Sequence, residues 1–220
     1  MKINCHLVLP AALLAVNSAL AEDIEDIKAV NGCAIRSGTL CVGADLRGTD
    51  LKGADLARAG FRQANLSGAD LQGANLFNAN MDMVDLTDAN LSGATLNEAD
   101  LSNGTAVNAR LNWARLNGAN LKSIKLMNAN LTNAQLKWAN LTGANLTGAR
   151  FNNAQLQRAD LSGATMMWAD FRGADLTGVK LDNAILQGTD LTGTVLDEVD
   201  FSNADTAGCR GCPQKYRETR

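Results

Sequence analysis

From Ala44 to Asn203 an apolar residue returns at every fifth position without a break, at Leu46, Leu51, Leu56, Phe61, Leu66 and onward to Phe201. Of these 32 positions 25 are Leu, four are Phe (Phe61, Phe151, Phe171, Phe201), two are Met (Met81, Met166) and one is Ala (Ala106). Two residues before each stands a small residue, Ala in 24 of the 32 cases, and the residue between is usually Asp or Asn. A period of five suits neither an amphipathic helix nor a plain strand. It suits a short extended stretch followed by a corner. In an extended Ala-Asp-Leu triplet the first and third side chains share one face and the middle one points away. Ala and Leu are therefore expected inside and Asp or Asn outside. The last two residues of each unit must turn the chain. The second of them is Gly, Asn or Asp in 22 of 32 units, residues that accept positive φ or bond their own backbone. A repeat of this kind overrides ordinary domain reasoning, because each unit buries its apolar face only against its neighbours.

Units such as Ala44-Asp45-Leu46-Arg47-Gly48, Ala69-Asp70-Leu71-Gln72-Gly73 and Ala144-Asn145-Leu146-Thr147-Gly148 resemble the motif of the pentapeptide-repeat family. The resemblance implies an all-β solenoid, a right-handed quadrilateral β-helix with four pentapeptides per coil and about eight coils. At the usual spacing between paired strands such a rod is roughly 38 Å long. Neither of the two prolines, Pro10 and Pro213, falls inside the array, as a continuous backbone ladder requires. The weakest unit is Gly104-Thr105-Ala106-Val107-Asn108, which reads as a thin spot in the core that Ile124, one coil on, helps to fill.

Outside the array, residues 1–21 have a basic start at Lys2, an apolar run from Leu7 to Leu20 and small residues at Ala19-Leu20-Ala21, the pattern of a secretory signal peptide. Residues 22–43 are expected to cap the first coil, with Ile24, Ile27 and Val30 at helical spacing suggesting a short amphipathic helix. Residues 204–220 are expected to form a C-terminal cap and tail. Four cysteines remain beyond the signal segment, two before the rod and two after it. The rod separates the pairs too far for one four-Cys zinc site, whose ligands must meet at one ion. Disulfides Cys33–Cys41 and Cys209–Cys212 are expected, one clamping each end.

Little chemistry is available on this chain. Cleavage after Ala21 removes His6, the only histidine, and with it any imidazole for acid–base work or metal binding. Carboxylates stack one coil apart at Asp50 and Asp70 and at Asp170 and Asp190, but the repeat itself generates such a hydrophilic skin. The phase never breaks, so no inserted loop offers an enzyme site. No catalytic residue, metal or cofactor is expected. Outward Thr residues (Thr132, Thr142, Thr147, Thr177) fall on different walls and do not form the ladder that an ice-binding face needs.

Quinolone-resistance members of the family resemble B-form DNA in shape and charge and bind DNA gyrase. Without Lys2 this chain carries 23 acids against 19 bases, a weak imbalance for such mimicry. Arg110, Arg115, Lys125 and Arg150 also take outward places midway along. Acids are expected to intersperse this basic patch, so no nucleic-acid partner is expected. The outward residues the repeat explains least are Trp113, Trp138 and Trp168, each at the last corner place, with Arg158 one coil from Trp138 in position for a cation–π contact and Met127 and Met167 sharing a wall near Trp168. These are the candidate interaction residues. The expected protein is a non-catalytic structural or protein-binding scaffold, monomer or homodimer, exported to the periplasm or beyond (the thylakoid lumen in a cyanobacterium), with no transmembrane span. Its alternative is a regulatory inhibitor of another enzyme, of which the DNA-mimic topoisomerase binder is the sharpest form.

Overall fold

Most pentapeptides make the same four backbone bonds. In the first full unit the Leu46 N–H donates to the Asn65 carbonyl (2.7 Å) and the Asn65 N–H donates back to the Ala44 carbonyl (2.9 Å). The Gly48 N–H reaches the Ser67 carbonyl (2.9 Å), and the Thr49 N–H closes the corner on the Leu46 carbonyl (3.3 Å). Parallel rungs of this kind link residues 20 apart from Leu40↔Gly60 through Asp45↔Asn65 and Asp50↔Asp70 to Asp190↔Arg210, with one rung missing, between Lys180 and Asp200. A register of 20 with a unit of five means four sides to a coil. The computed structural model describes residues 29–213; the expected signal peptide, Ile24, Ile27 and the tail from Gln214 lie outside the described residues.

Corner chemistry follows the sequence. The fifth residue of every unit from Gly48 to Glu198 has a positive φ, the left-handed value that the second central residue of a type II turn requires. Glycine meets this at no steric cost and Asn at little. Arg58, Met83, Glu98 and the three tryptophans take the same conformation without that help. The middle Asp or Asn has a second task beyond facing water. Its side chain accepts the N–H of the residue two places on, as in Gln72 to Asp70 (3.0 Å), Thr87 to Asp85 (2.9 Å) and Thr142 to Asn140 (3.0 Å). That Asx turn satisfies the one backbone donor of the unit that neither the ladder nor the corner uses.

Inside, the inward Leu and Ala places are buried along most of the rod, and Phe151 and Phe171 stack with centroids 4.5 Å apart. Asn–Asp ladders run outside between coils, as Asn75 to Asp55 (2.9 Å) and Asn120 to Asp100 (2.9 Å).

Coil geometry reaches past the expected limits of 44–203. Cys41 occupies an inward place in phase with Leu46, and the last rung ends at Arg210. At the front, Ala29–Val30 (β1) pairs antiparallel with Cys33–Ala34 (β2). Val30 therefore lies in a strand rather than in the expected helix. The cause is Asn31-Gly32, both at positive φ (50° and 80°), a two-residue hairpin turn whose twist suits antiparallel strands. Val30 and Ile35 pack on the core, and the Asn31 amide donates to the Asp45 carbonyl (2.6 Å). Disulfide Cys33–Cys41 ties this hairpin to the first coil, and Cys209–Cys212 closes the other end.

At Gly104 the core is filled rather than thin. A Cβ there would sit 3.0 Å from the Leu101 carbonyl, 3.2 Å from the Val84 carbonyl and 3.4 Å from Val84 Cγ1. Val84 and Ile124, larger than the Ala usual in their column, flank it and take the space. Gly104→Ala is expected to lower Tm in thermal denaturation, because the two atoms nearest the new Cβ are backbone carbonyls that no side-chain change moves aside. Removing the first disulfide by Cys33→Ser and Cys41→Ser is expected to cost about 2.5 kcal/mol, the chain-entropy value for a loop of its length, read by urea denaturation.

Candidate functional site

The corners put Trp113, Trp138 and Trp168 on the outside. Each is about two-thirds exposed (63%, 62% and 66%) and each is held at positive φ (63°, 57° and 54°). For a bulky residue the left-handed conformation costs about 1–2 kcal/mol. The 20-residue register leaves the three on different corners, so they form no single cluster. Corner side chains lean toward the following coil. The Trp168 indole covers Gly188, where an added Cβ would meet its Cδ1 at 2.6 Å. Trp138 makes no cation–π contact with Arg158, and the Arg158 stem lies instead beside Gly178, 3.4 Å from where its Cβ would stand. Met127 and Met167 are half-buried along their shared column, less available than the tryptophans.

Charge is arranged more sharply than the whole-array composition suggests. Residues 101–159 contain seven Lys and Arg (Arg110, Arg115, Lys122, Lys125, Lys137, Arg150, Arg158) and no Asp or Glu. The expected interspersion of acids fails here: carboxylates occupy the coils on either side, not the coils between. Along one wall the outward residues run Asp50, Asp70, Asn90, Arg110, Asn130, Arg150, Asp170 and Asp190. A residue-by-residue look at acid positions carries this signal in the sequence alone.

The stacked carboxylates are engaged. Arg172 grips Asp170 through two parallel bonds (2.8 Å and 2.6 Å) and its own N–H (3.1 Å). The Arg172 side-chain bond is the main cause that holds Asp170 at about 2, against the opposing effect of its partial burial. Asp190 is lowered by the Thr192 side chain and N–H, and Asp82 by the Asn103 amide first and then by Arg62 and Ser102 against partial desolvation. None of these carboxyls is pushed upward, as a general acid would have to be. Among the described residues no group of three or more His, Cys, Asp or Glu is placed to hold a metal ion.

A coil with four five-residue sides, Leu and Ala within and a left-handed corner after each side, defines a solenoid of pentapeptide repeats. The chain belongs to the pentapeptide repeat family: the model for pentapeptide repeats (8 copies) matches residues 39–205 in overlapping and adjoining stretches. Its fold is the right-handed quadrilateral β-helix of that family. Among solved structures it is similar to QnrB1, a plasmid-mediated fluoroquinolone resistance protein, at 24% identity over 78% of this chain and 88% of that one, with a TM-score of 0.54. It is similar to HetL, a pentapeptide repeat protein involved in heterocyst differentiation regulation from the cyanobacterium Nostoc, at 31% identity over 78% and 85% of the two chains, with a TM-score of 0.36. A pentapeptide repeat protein from the thylakoid lumen of Arabidopsis thaliana is 30% identical over 62% of this chain and 70% of that one, with a TM-score of 0.29. A search of curated protein sequences found no significant match. Among the described residues no helix is long and apolar enough to cross a membrane.

The Asp170–Arg172 pair sets a pH dependence. The folded-state value of about 2 lies below the ordinary Asp value of about 3.9, so the pair stabilises in full above pH about 4 and the gain is lost as pH falls toward 2. In Arg172→Gln the Asp170 carboxyl is expected to titrate closer to 3.9, read by NMR of its side-chain carbon, and, with its folded and unfolded values brought together, stability is expected to be lower at neutral pH and to fall less between pH 4 and 2.

Proposed function

We propose that this protein is a non-catalytic scaffold that binds a protein partner in an exported compartment. Proteins of this family are in general structural or binding proteins. The observation that carries the reading is the conformation of Trp113, Trp138 and Trp168, exposed and left-handed at places where neighbouring units use Gly or Asn. Local strain kept at exposed aromatic positions points to use, because glycine meets the same corner without the penalty. Trp is also among the residues that dominate the energy of protein interfaces. Export rests on the leader-like residues 1–21 and on two disulfides, which persist in oxidising surroundings.

The alternative, an inhibitor that imitates DNA, draws less support. A DNA imitation needs one sign of charge along the rod, and here Arg110 and Arg150 interrupt the Asp50 wall at its middle.

Trp113→Gly and Trp138→Gly are the test. Each is expected to leave Tm unchanged or to raise stability by up to about 1 kcal/mol, since relief of the left-handed conformation outweighs the added freedom of Gly in the unfolded chain. Each is also expected to weaken retention of a partner identified by crosslinking in cells. A fall in Tm with unchanged partner retention would make both tryptophans local packing and end this reading. Sequencing of the mature N-terminus checks the compartment: a chain that keeps Met1 was not processed for export.

A further inference from the structure

The geometry points to a docking site for a short acidic polypeptide segment on the carboxylate-free middle coils, centred on Trp113. It rests on the protein-binding reading above and names the partner's chemistry and the place it binds.

Trp113 stands at the corner between two walls. Arg110 precedes it on one and Arg115 follows it on the other, and all three side chains are exposed. Arg150 lies two rungs along the Arg110 wall, about 10 Å away at the spacing of paired strands. Among the described residues none of these three arginines has an ion-pair partner, whereas Arg47, Arg62 and Arg172 nearer the ends are paired with Asp45, Asp82 and Asp170. The next corner adds Trp138 beside Lys137, which also feels Asp175, and Arg158. Around them the outward places are amides: Asn112, Asn130, Asn133, Gln135, Asn152 and Gln155.

Free guanidinium forks donate to carboxylates in bidentate geometry, and an exposed indole between two of them offers an apolar surface to a neighbouring side chain. The amides supply donors and acceptors suited to a peptide backbone. Length decides against a long polyanion. Across all four walls the acid-free zone spans about three coils, roughly 14 Å, and on the two walls that meet at Trp113 it widens to the five rungs between Asp70 and Asp170 and the six between Asp55 and Asp175, roughly 24–29 Å. Beyond it on the same walls stand Asp50, Asp55 and Asp70 at one end and Asp170, Asp175 and Asp190 at the other. A nucleic-acid strand laid along the rod meets its own charge in both directions, whereas an acidic segment of a few residues does not. The clefts lined by Asn183 and Ser202 and by Ile35 and Asp55 lie outside this zone.

The experiment uses the folded, disulfide-bonded protein and a fluorescent six-residue peptide of glutamates around one leucine, followed by anisotropy across a salt series. Six-nucleotide single-stranded DNA and a heparin hexasaccharide serve as competitors. The peptide is expected to bind, to weaken as salt rises and to lose tenfold or more in affinity in Arg110→Gln/Arg115→Gln/Arg150→Gln, with a shallower salt dependence. Trp113→Gly is expected to cost several-fold, and the paired outer cation variant Arg47→Gln nothing. Unchanged circular dichroism and Tm confirm folding of each variant. No peptide binding, binding indifferent to the triple variant, or tighter binding of DNA or heparin than of the peptide overturns the proposal. Failure of the wider scaffold reading looks different: there the peptide binds as described while no partner protein is retained in cells through any tryptophan. A partner retained through Trp168 but not through the arginines defeats only the acidic-segment site.

Discussion

Closing the chain on itself every 20 residues is the constraint from which everything else in this molecule follows. One coil alone buries almost nothing; its Leu and Ala side chains are covered only when the next coil lies in register above them. The left-handed corner after nearly every side aims the chain along the next wall of the ladder. The array departs from this once, near the C-terminal end, and the ladder resumes at Ile185↔Asp205. At Asn203, the one corner of the array without a positive φ, the Lys180 wall gains no rung to Asp200, and the Asn183 N–H bonds to Asn203 rather than to its usual partner one residue earlier.

Much of this was legible from spacing alone. The five-residue period, the inward Ala and Leu pair and the corner residues follow from side-chain alternation and backbone sterics, so the core and the surface could be assigned without coordinates. The number of sides and the hand came only through the family resemblance. Other features escaped because they depend on pairs of positions. The middle Asp or Asn read as a solvated residue, while its acceptor role needs the geometry of the N–H two places on. Asn31-Gly32 is a strong hairpin signal that was overshadowed by the helical spacing of Ile24, Ile27 and Val30. Gly104 looked like a thin spot helped only by Ile124, because Val84, the other neighbour in its column, lies 20 residues back and went unread.

Function lives on the skin, where the repeat sets no identity. Three of its features do not follow from the fold: the strained exposed tryptophans, the unpaired mid-rod arginines and the segregation of acids to the flanking coils. A sum over the whole chain hides the last of these, because net charge averages over the length that a partner would read locally. The same separation explains why the interior says nothing of the partner. Leu and Ala columns build the rod and leave about two outward places per unit free to vary.

Amide hydrogen exchange, resolved residue by residue, tests the central claim most directly. If each unit divides its donors as described, the first corner N–H is protected where an Asx turn holds it, as at Ser67, Gln72 and Thr142, and exchanges fast after a basic residue, at Asn112, Met127 and Asn152. The inward Leu amides between them stay slow throughout. Protection with a helical period, or equal protection at both sets of corners, would contradict the account.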